Sequence, residues 1–573
     1  MSELSIPEAK PRPYARLFET LLIGGVYVLF TLFASRVIWL SEQPTLVGQD
    51  NDVYINPWAD WWTEKALTDP DLSLWRTDYL FYPDGADLTY HSYSHLNTAV
   101  SLLLRPLLGK IGAYNAAILL NYPLAALAMY QLGRYVTGSR RAGFLAGIIF
   151  AFNSHSLYQS CHPVLVSIWC FPWVTLYLLR AMRENRAWWA ALAAGFVFLG
   201  AATSTVLLFM LILWSGFLLL YLWLAPEEPR PPWRIVLLYV LASGLLALPL
   251  NWHLLRQAIV ANNTSFFIPP LSAIVADLLS PLIPHWLFWL SRGIYFGVVP
   301  LSLLFLARRQ RSQSRLWYLL LLVAYLFSIG PVPVLFGKPF DIVLPWSSLI
   351  VPILRNTYRL NILIGMALAT LAALGWQTVQ ERLRSRPPQL TWAVWGAALL
   401  LISLEYLAVP FPHSPARLSP FYTEYLAGVP DDVPLATIPV DRQVDKYYLF
   451  YQTYHQHPIT GGVISRAQAS SFYFIENNAL LAAGRLQGGG EPPPLPAVRT
   501  ALQQLADEGV GFLVISKTPV PLDPEGYADF DAAAWRRTIP LRPVYEDEHL
   551  IAYDLRPLQA AVERFSKIVL PIQ

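Results

Sequence analysis

The sequence predicts a mainly α fold: a polytopic transmembrane helical bundle followed by a smaller α/β domain. Three observations predict it. The 573 residues are 55% hydrophobic and only 14% charged, where a soluble domain carries about a quarter charged residues. The apolar residues arrive in uncharged blocks, most of them near the ~20 residues that cross a ~30 Å hydrocarbon core. Basic residues gather in alternate loops, as expected of a chain threaded repeatedly through a membrane. The net charge of +3 argues against a nucleic-acid partner. Two cysteines, Cys161 and Cys170, offer neither a disulfide framework nor a metal-ligand spacing.

A polar stretch precedes the first apolar run and no small-residue cleavage site follows it, so that run is read as a retained span, not a signal peptide. The spans fall at 21–40, 113–133, 143–158, 163–181, 188–203, 205–224, 234–254, 287–307, 316–334, 359–377 and 391–409, about eleven in all. Of these, 143–158 and 188–203 are short enough to be broken or partly re-entrant. The stretch 96–110 contains Arg105, Pro106 and Lys110 and reads as an amphipathic or half-membrane helix. One set of loops carries Lys10, Arg12 and Arg16; Arg134, Arg140 and Arg141; Arg180, Arg183 and Arg186; Arg230 and Arg234; Arg308, Arg309, Arg311 and Arg315; Arg382, Arg384 and Arg386. By the positive-inside rule that side is the cytoplasm. The N-terminus is then cytoplasmic, and an odd number of spans puts the C-terminal region outside a multi-pass cell membrane protein.

This organises the chain as a transmembrane domain, 1–409, with a large first outer loop at 41–95, and an extracytoplasmic α/β domain, 410–573. In that tail VPLATIPV (433–440) and VGFLVIS (510–516) read as strands, 498–508 as a helix, and GGGEPPPLP (488–496) as a loop. Elaborate outer loops over short inner ones place function on the outer face.

The first loop reads Gly48-Gln49-Asp50-Asn51-Asp52, then Trp58-Ala59-Asp60-Trp61-Trp62. A carboxylate just past a span can act as general base on an acceptor hydroxyl, bind a divalent cation such as Mg or Mn, or simply cap a helix. Trp61 and Trp62 read as an interfacial aromatic belt. His91 and His95 are four apart and share one face if the segment is helical. His155 and His162 flank another outer turn. Interfacial hydrogen bonding is the ordinary use of such histidines, and a zinc pair the rarer one. Arg355 and Arg359, in ILRNTYRLN, stand at the outer start of an apolar span, against the charge bias. Their forked guanidiniums suit a lipid phosphate, or else snorkel to headgroups. Walker A, dinucleotide-binding and GxSxG patterns are lacking, which leaves nucleotide-driven transport and serine hydrolysis unsupported.

GQDND with WADWW, FYPDGADL, the AYNAAILLNYPLAALAMYQLGRYVTGSRRAGFLAGIIFAF block, HPVLVSIWCFPW, ILRNTYRLNILIGMALATLAALG and the tail segment YYLFYQTYHQHPITGGVISR together resemble the polytopic glycosyltransferases of the C-type (GT-C) superfamily. The chain is more closely similar to their bacterial YfhO-like and mannosyltransferase-like groups. The resemblance implies an outer-face hexosyltransferase of the cell envelope. It would take sugar from a polyprenyl-phosphate donor and pass it to a glycan, lipid or protein acceptor. It implies an aspartate of the first loop as base, Asp52 before Asp50, with Arg355 and Arg359 on the lipid phosphate. Asp60, His91, His95, His155 and His162 would line the cleft. Asn51 separates the two acids where relatives often have an acidic dipeptide, so the cation stays an open alternative. A lipid or polysaccharide translocator and a non-catalytic assembly factor are the rival functions.

Overall fold

The computed structural model describes residues 13–260, 275–284, 293–346, 356–407, 410–486, 490–517 and 530–559. The chain divides into two compact units, Met1–Ser41 with Ala116–Leu250 and Pro269–Pro412, and Glu42–Asn115 with Asn251–Ile268 and His413–Gln573.

The first unit is a helical bundle. Its centre is the helix Asn361–Leu383, buried on nearly every residue from Asn361 to Trp376. Helices Asn121–Thr137, Arg140–Ala151, Val298–Leu306 and Arg311–Ser328 pack around it. Small residues permit the close approach: a Cβ on Gly147 would meet Ala126 O at 2.6 Å, so only glycine fits there. The outlying helix Pro13–Ala34 instead leaves Leu21, Leu29 and Phe33 more than half exposed. Such apolar exposure suits lipid, since backbone bonds are satisfied within the helix.

Helices occupy every predicted span within the described residues, but six are long and apolar enough to cross a membrane by themselves. The count of eleven mixes such helices with shorter ones. Arg140–Ala151 has 12 residues, Ala187–Thr203 has 17 and Val298–Leu306 has 9, and at ~1.5 Å per residue the first and last fall well short of ~30 Å. The predicted span 113–133 covers a junction between helices at Leu120, and part of 287–307 lies outside the described residues.

The basic loops meet one another. Glu19 accepts from Arg134 at 2.5 Å and pairs with Arg140 at 2.8 Å. Ser139 donates to Gln380, Gln310 to Glu381, Arg315 to Glu227 and Arg183 to Glu228. These links put all the basic loops that they join at one end of the bundle, as the charge alternation required.

In the second unit, strand Thr45–Val47 pairs antiparallel with His413–Pro415, Thr45 opposite Pro415. The acidic loop and helix Ile55–Thr68 follow. Helix His95–Leu119 is kinked at Gly109, whose φ is 68°, and carries Pro106. Leu103 and Leu107 on its first half are 77% and 81% exposed, which is the amphipathic segment read at 96–110. The tail holds a four-stranded sheet. Leu435–Ile438 runs parallel to Phe512–Ser516, Leu550–Asp554 antiparallel to that, and Tyr545–Glu546 lies at the edge. Helix Leu495–Asp507 leads into the second strand and buries Val498, Leu502 and Leu505. Strands and helix fall where the tail sequence put them. The described part of the Gly/Pro stretch ends at the prolines that open this helix.

Candidate active site

The acidic loop is built by its own backbone. Gly48, at φ 108°, turns the chain out of the strand in a conformation that glycine adopts freely. Asp50 then accepts from the Asp52 amide at 3.0 Å and caps the short helical turn Asn51–Tyr54. That is the ordinary capping use of an aspartate. Asp52 stands inside the turn, and its Oδ1 receives Lys446 Nζ at 2.5 Å.

Lys446 belongs to helix Asp445–His455 of the tail, and that helix braces the whole loop. Tyr447 donates to Asn51 Oδ1 at 2.8 Å, and its ring lies 4.2 Å from that of Tyr54. Trp58 Nε1 donates to Gln452 Oε1 at 2.6 Å. Gln452 in turn donates to the carbonyls of Tyr79 at 2.7 Å and His457 at 2.8 Å. Sequence reasoning missed Lys446, Tyr447 and Gln452. The available signal was one lysine in an otherwise aromatic helical run, DKYYLFYQTYH.

Two expectations for the loop are corrected. Trp58, Trp61 and Trp62 are 0%, 4% and 0% exposed, with Trp58 and Trp62 stacked at 5.8 Å. Trp61 and Trp62 are therefore core residues, not an interfacial belt. A belt residue keeps one end wet, and these do not. His91 precedes the helix that His95 opens, so the two share no helical face. His91 lies between the rings of Trp58 and Tyr93, 5.3 and 4.9 Å away. Burial pushes its imidazole down to about 3, leaving it neutral. His95 stacks on Tyr93 at 5.3 Å.

Asp60 lines a small cavity with Ser101, Arg105, Lys110, Tyr114 and Thr453. Thr98 donates to its carboxylate at 2.6 Å. Burial outweighs that bond and raises the group to about 6. Arg105 pairs with Glu64, and Lys110 donates to Thr453 O at 2.6 Å.

The other predicted residues belong to the first unit. His155 is 2% exposed and sits 3.5 Å from Asn361 Nδ2, in a short helix capped by Asn153. His162 Nδ1 lies 3.0 Å from Cys161 Sγ. Arg359 is half-buried in the turn Thr357–Leu360, which feeds the central helix. Arg355 lies outside the described residues.

The acidic pair does not fit a divalent cation. Asp50 is committed to its cap, and an ammonium group already stands against Asp52. Among the described residues no three His, Cys, Asp or Glu side chains converge on a metal position.

No protein-family model matches the chain, and no curated protein matches it. Solved structures do. ArnT from Cupriavidus metallidurans aligns with a TM-score of 0.53 at 13% identity, over 94% of this chain and 98% of that one. The arabinofuranosyltransferase AftD from mycobacteria aligns with 0.54 at 17% identity, over 87% of this chain. This chain spans only 35% of AftD's length. The oligosaccharyltransferase of Archaeoglobus fulgidus aligns with 0.51 at 11% identity, over 88% of this chain and 70% of that one. The chain is a membrane protein with the C-type fold of these polytopic glycosyltransferases.

Proposed function

We propose that the protein is an integral membrane glycosyltransferase that moves a sugar from a polyprenyl-phosphate donor to an acceptor outside the cytoplasm. One observation carries the reading beyond the fold. A carboxylate of the first loop, Asp52, is 37% exposed while the cation beneath it, Lys446, is only 6% exposed. A carboxylate held at the surface against a buried ammonium is open to an acceptor hydroxyl, as a general base must be.

In this mechanism Asp52 takes the proton of an acceptor hydroxyl. The oxygen bonds to the anomeric carbon as the carbon–oxygen bond to phosphate breaks. The electron pair of that bond leaves with the polyprenyl phosphate, and the sugar inverts. Asp50 serves the loop as its cap. By the positive-inside rule the basic end of the bundle faces the cytoplasm.

The test is transfer by the full-length protein in vesicles, offered a panel of undecaprenyl-phosphate sugars. Asp52→Asn is expected to abolish turnover. Because it strips a buried lysine of its counter-charge, the neutral pair Asp52→Asn/Lys446→Met is measured beside it. Parental turnover in Asp52→Asn removes Asp52 from the chemistry.

A further inference from the structure

Lys446 is placed where helix stability does not ask for it. It is the second residue of helix Asp445–His455, in the first turn, where the helix dipole favours an anion. Its side chain is only 6% exposed, so its charge has lost most of its water and needs partners. Among the described residues it meets Gln443 Oε1 at 2.6 Å and Asp52 Oδ1 at 2.5 Å.

The packing fixes where the ammonium stands. Tyr447 is locked to Asn51 and Tyr54 on one side of Lys446. One and a half turns on, Gln452 is locked to Trp58. With its helix pinned to the turn Asn51–Tyr54 and to the helix that follows it, the backbone of Lys446 is held beside Asp52. Asp50 holds the loop from the other direction through the Asp52 amide.

We propose that Lys446 is a positioning residue of the transfer reaction: the tail supplies the ammonium that fixes the Asp52 carboxylate in its working rotamer. The inference rests on Asp52 being the base. It makes the tail a structural part of the reactive centre.

The experiment compares Lys446→Met, Lys446→Gln, Asp52→Asn and Asp52→Asn/Lys446→Met in vesicles. The donor is the undecaprenyl-phosphate sugar that the parent turns over. Loosening a reacting group by about an ångström costs about 10²-fold in kcat, with donor KM within roughly twofold because ground-state binding is untouched. Lys446→Met is expected to show that split at a parental melting temperature. Lys446→Gln, which keeps a donor for Gln443 without the charge, covers the case in which Lys446→Met does not fold. A merely structural lysine would lower the amount of folded protein and leave kcat per folded molecule unchanged. Parental kcat in either folded Lys446 variant, with Asp52→Asn inactive, overturns the positioning role and leaves the base intact. An active Asp52→Asn overturns the base assignment itself.

Discussion

Replacing Gln452 by leucine tests whether the tail helix holds the acidic loop in place. Gln452 is 0% exposed and joins three segments, accepting from Trp58 and donating to the carbonyls of Tyr79 and His457. Leucine nearly conserves the volume, so the cavity cost is small. What changes is that the Trp58 indole N–H and the His457 carbonyl, on residues that are themselves 0% exposed, lose their partner. The half-buried Tyr79 carbonyl loses one too. Each fully buried orphan costs about 1–3 kcal/mol, so the contact between loop and tail weakens by about 3 kcal/mol. Local opening of the loop then becomes about 10²-fold more frequent. Hydrogen exchange of the full-length protein reads this directly. Amides of 51–62 should exchange about two decades faster, while those of helix Leu495–Asp507 keep the parental rate. Parental exchange at 51–62 in a folded Gln452→Leu variant would refute the bracing argument.

Asp60 supplies a pH test. Its carboxyl is raised to about 6 against ~3.9 in an unfolded chain. The folded protein holds the proton more tightly, so this group's stabilisation is complete below pH ~4 and is lost as pH rises through about 6, at most about 3 kcal/mol. Asp60→Asn keeps an acceptor for Thr98 and should melt higher than the parent at pH 7.5 but not at pH 4; a lower melting temperature at pH 7.5 contradicts the assignment. Gly147→Ala pushes a methyl toward Ala126 O and should cost about 1–3 kcal/mol of bundle stability, seen as an earlier thermal transition; an unchanged transition means the helices are not in contact there. Orientation is read with single cysteines. Both native thiols are buried and give little background. An impermeant thiol reagent on intact cells should label Asp71→Cys but not Ser139→Cys or Arg309→Cys; the reverse pattern inverts the topology.

How much of this the residues announced depends on the range of the interaction. Helices along the bundle, the strands 433–440 and 510–516 and the basic end of the bundle were legible because each follows from local pattern: apolar length, alternation and charge placement. Asp50 as a cap was equally local, since its partner is two residues away. The histidine pair failed for a local reason too: spacing of four means one face only inside a helix, and His91 lies before the helix begins.

The sequence alone determined that this chain lives in a membrane, which end of its bundle is basic, and that carboxylates crowd the first loop. Those properties are sums over neighbours along the chain. Only the tertiary structure decided which carboxylate is engaged by what. Lys446 is 394 positions from Asp52, as Gln452 is from Trp58, and no periodicity couples residues so far apart. Trp61 and Trp62 were likewise buried by rings brought against them, Trp58 and, from outside their own helix, Tyr79. A side chain's neighbours across the fold, not its neighbours in order, set whether it meets lipid, core or a counter-charge.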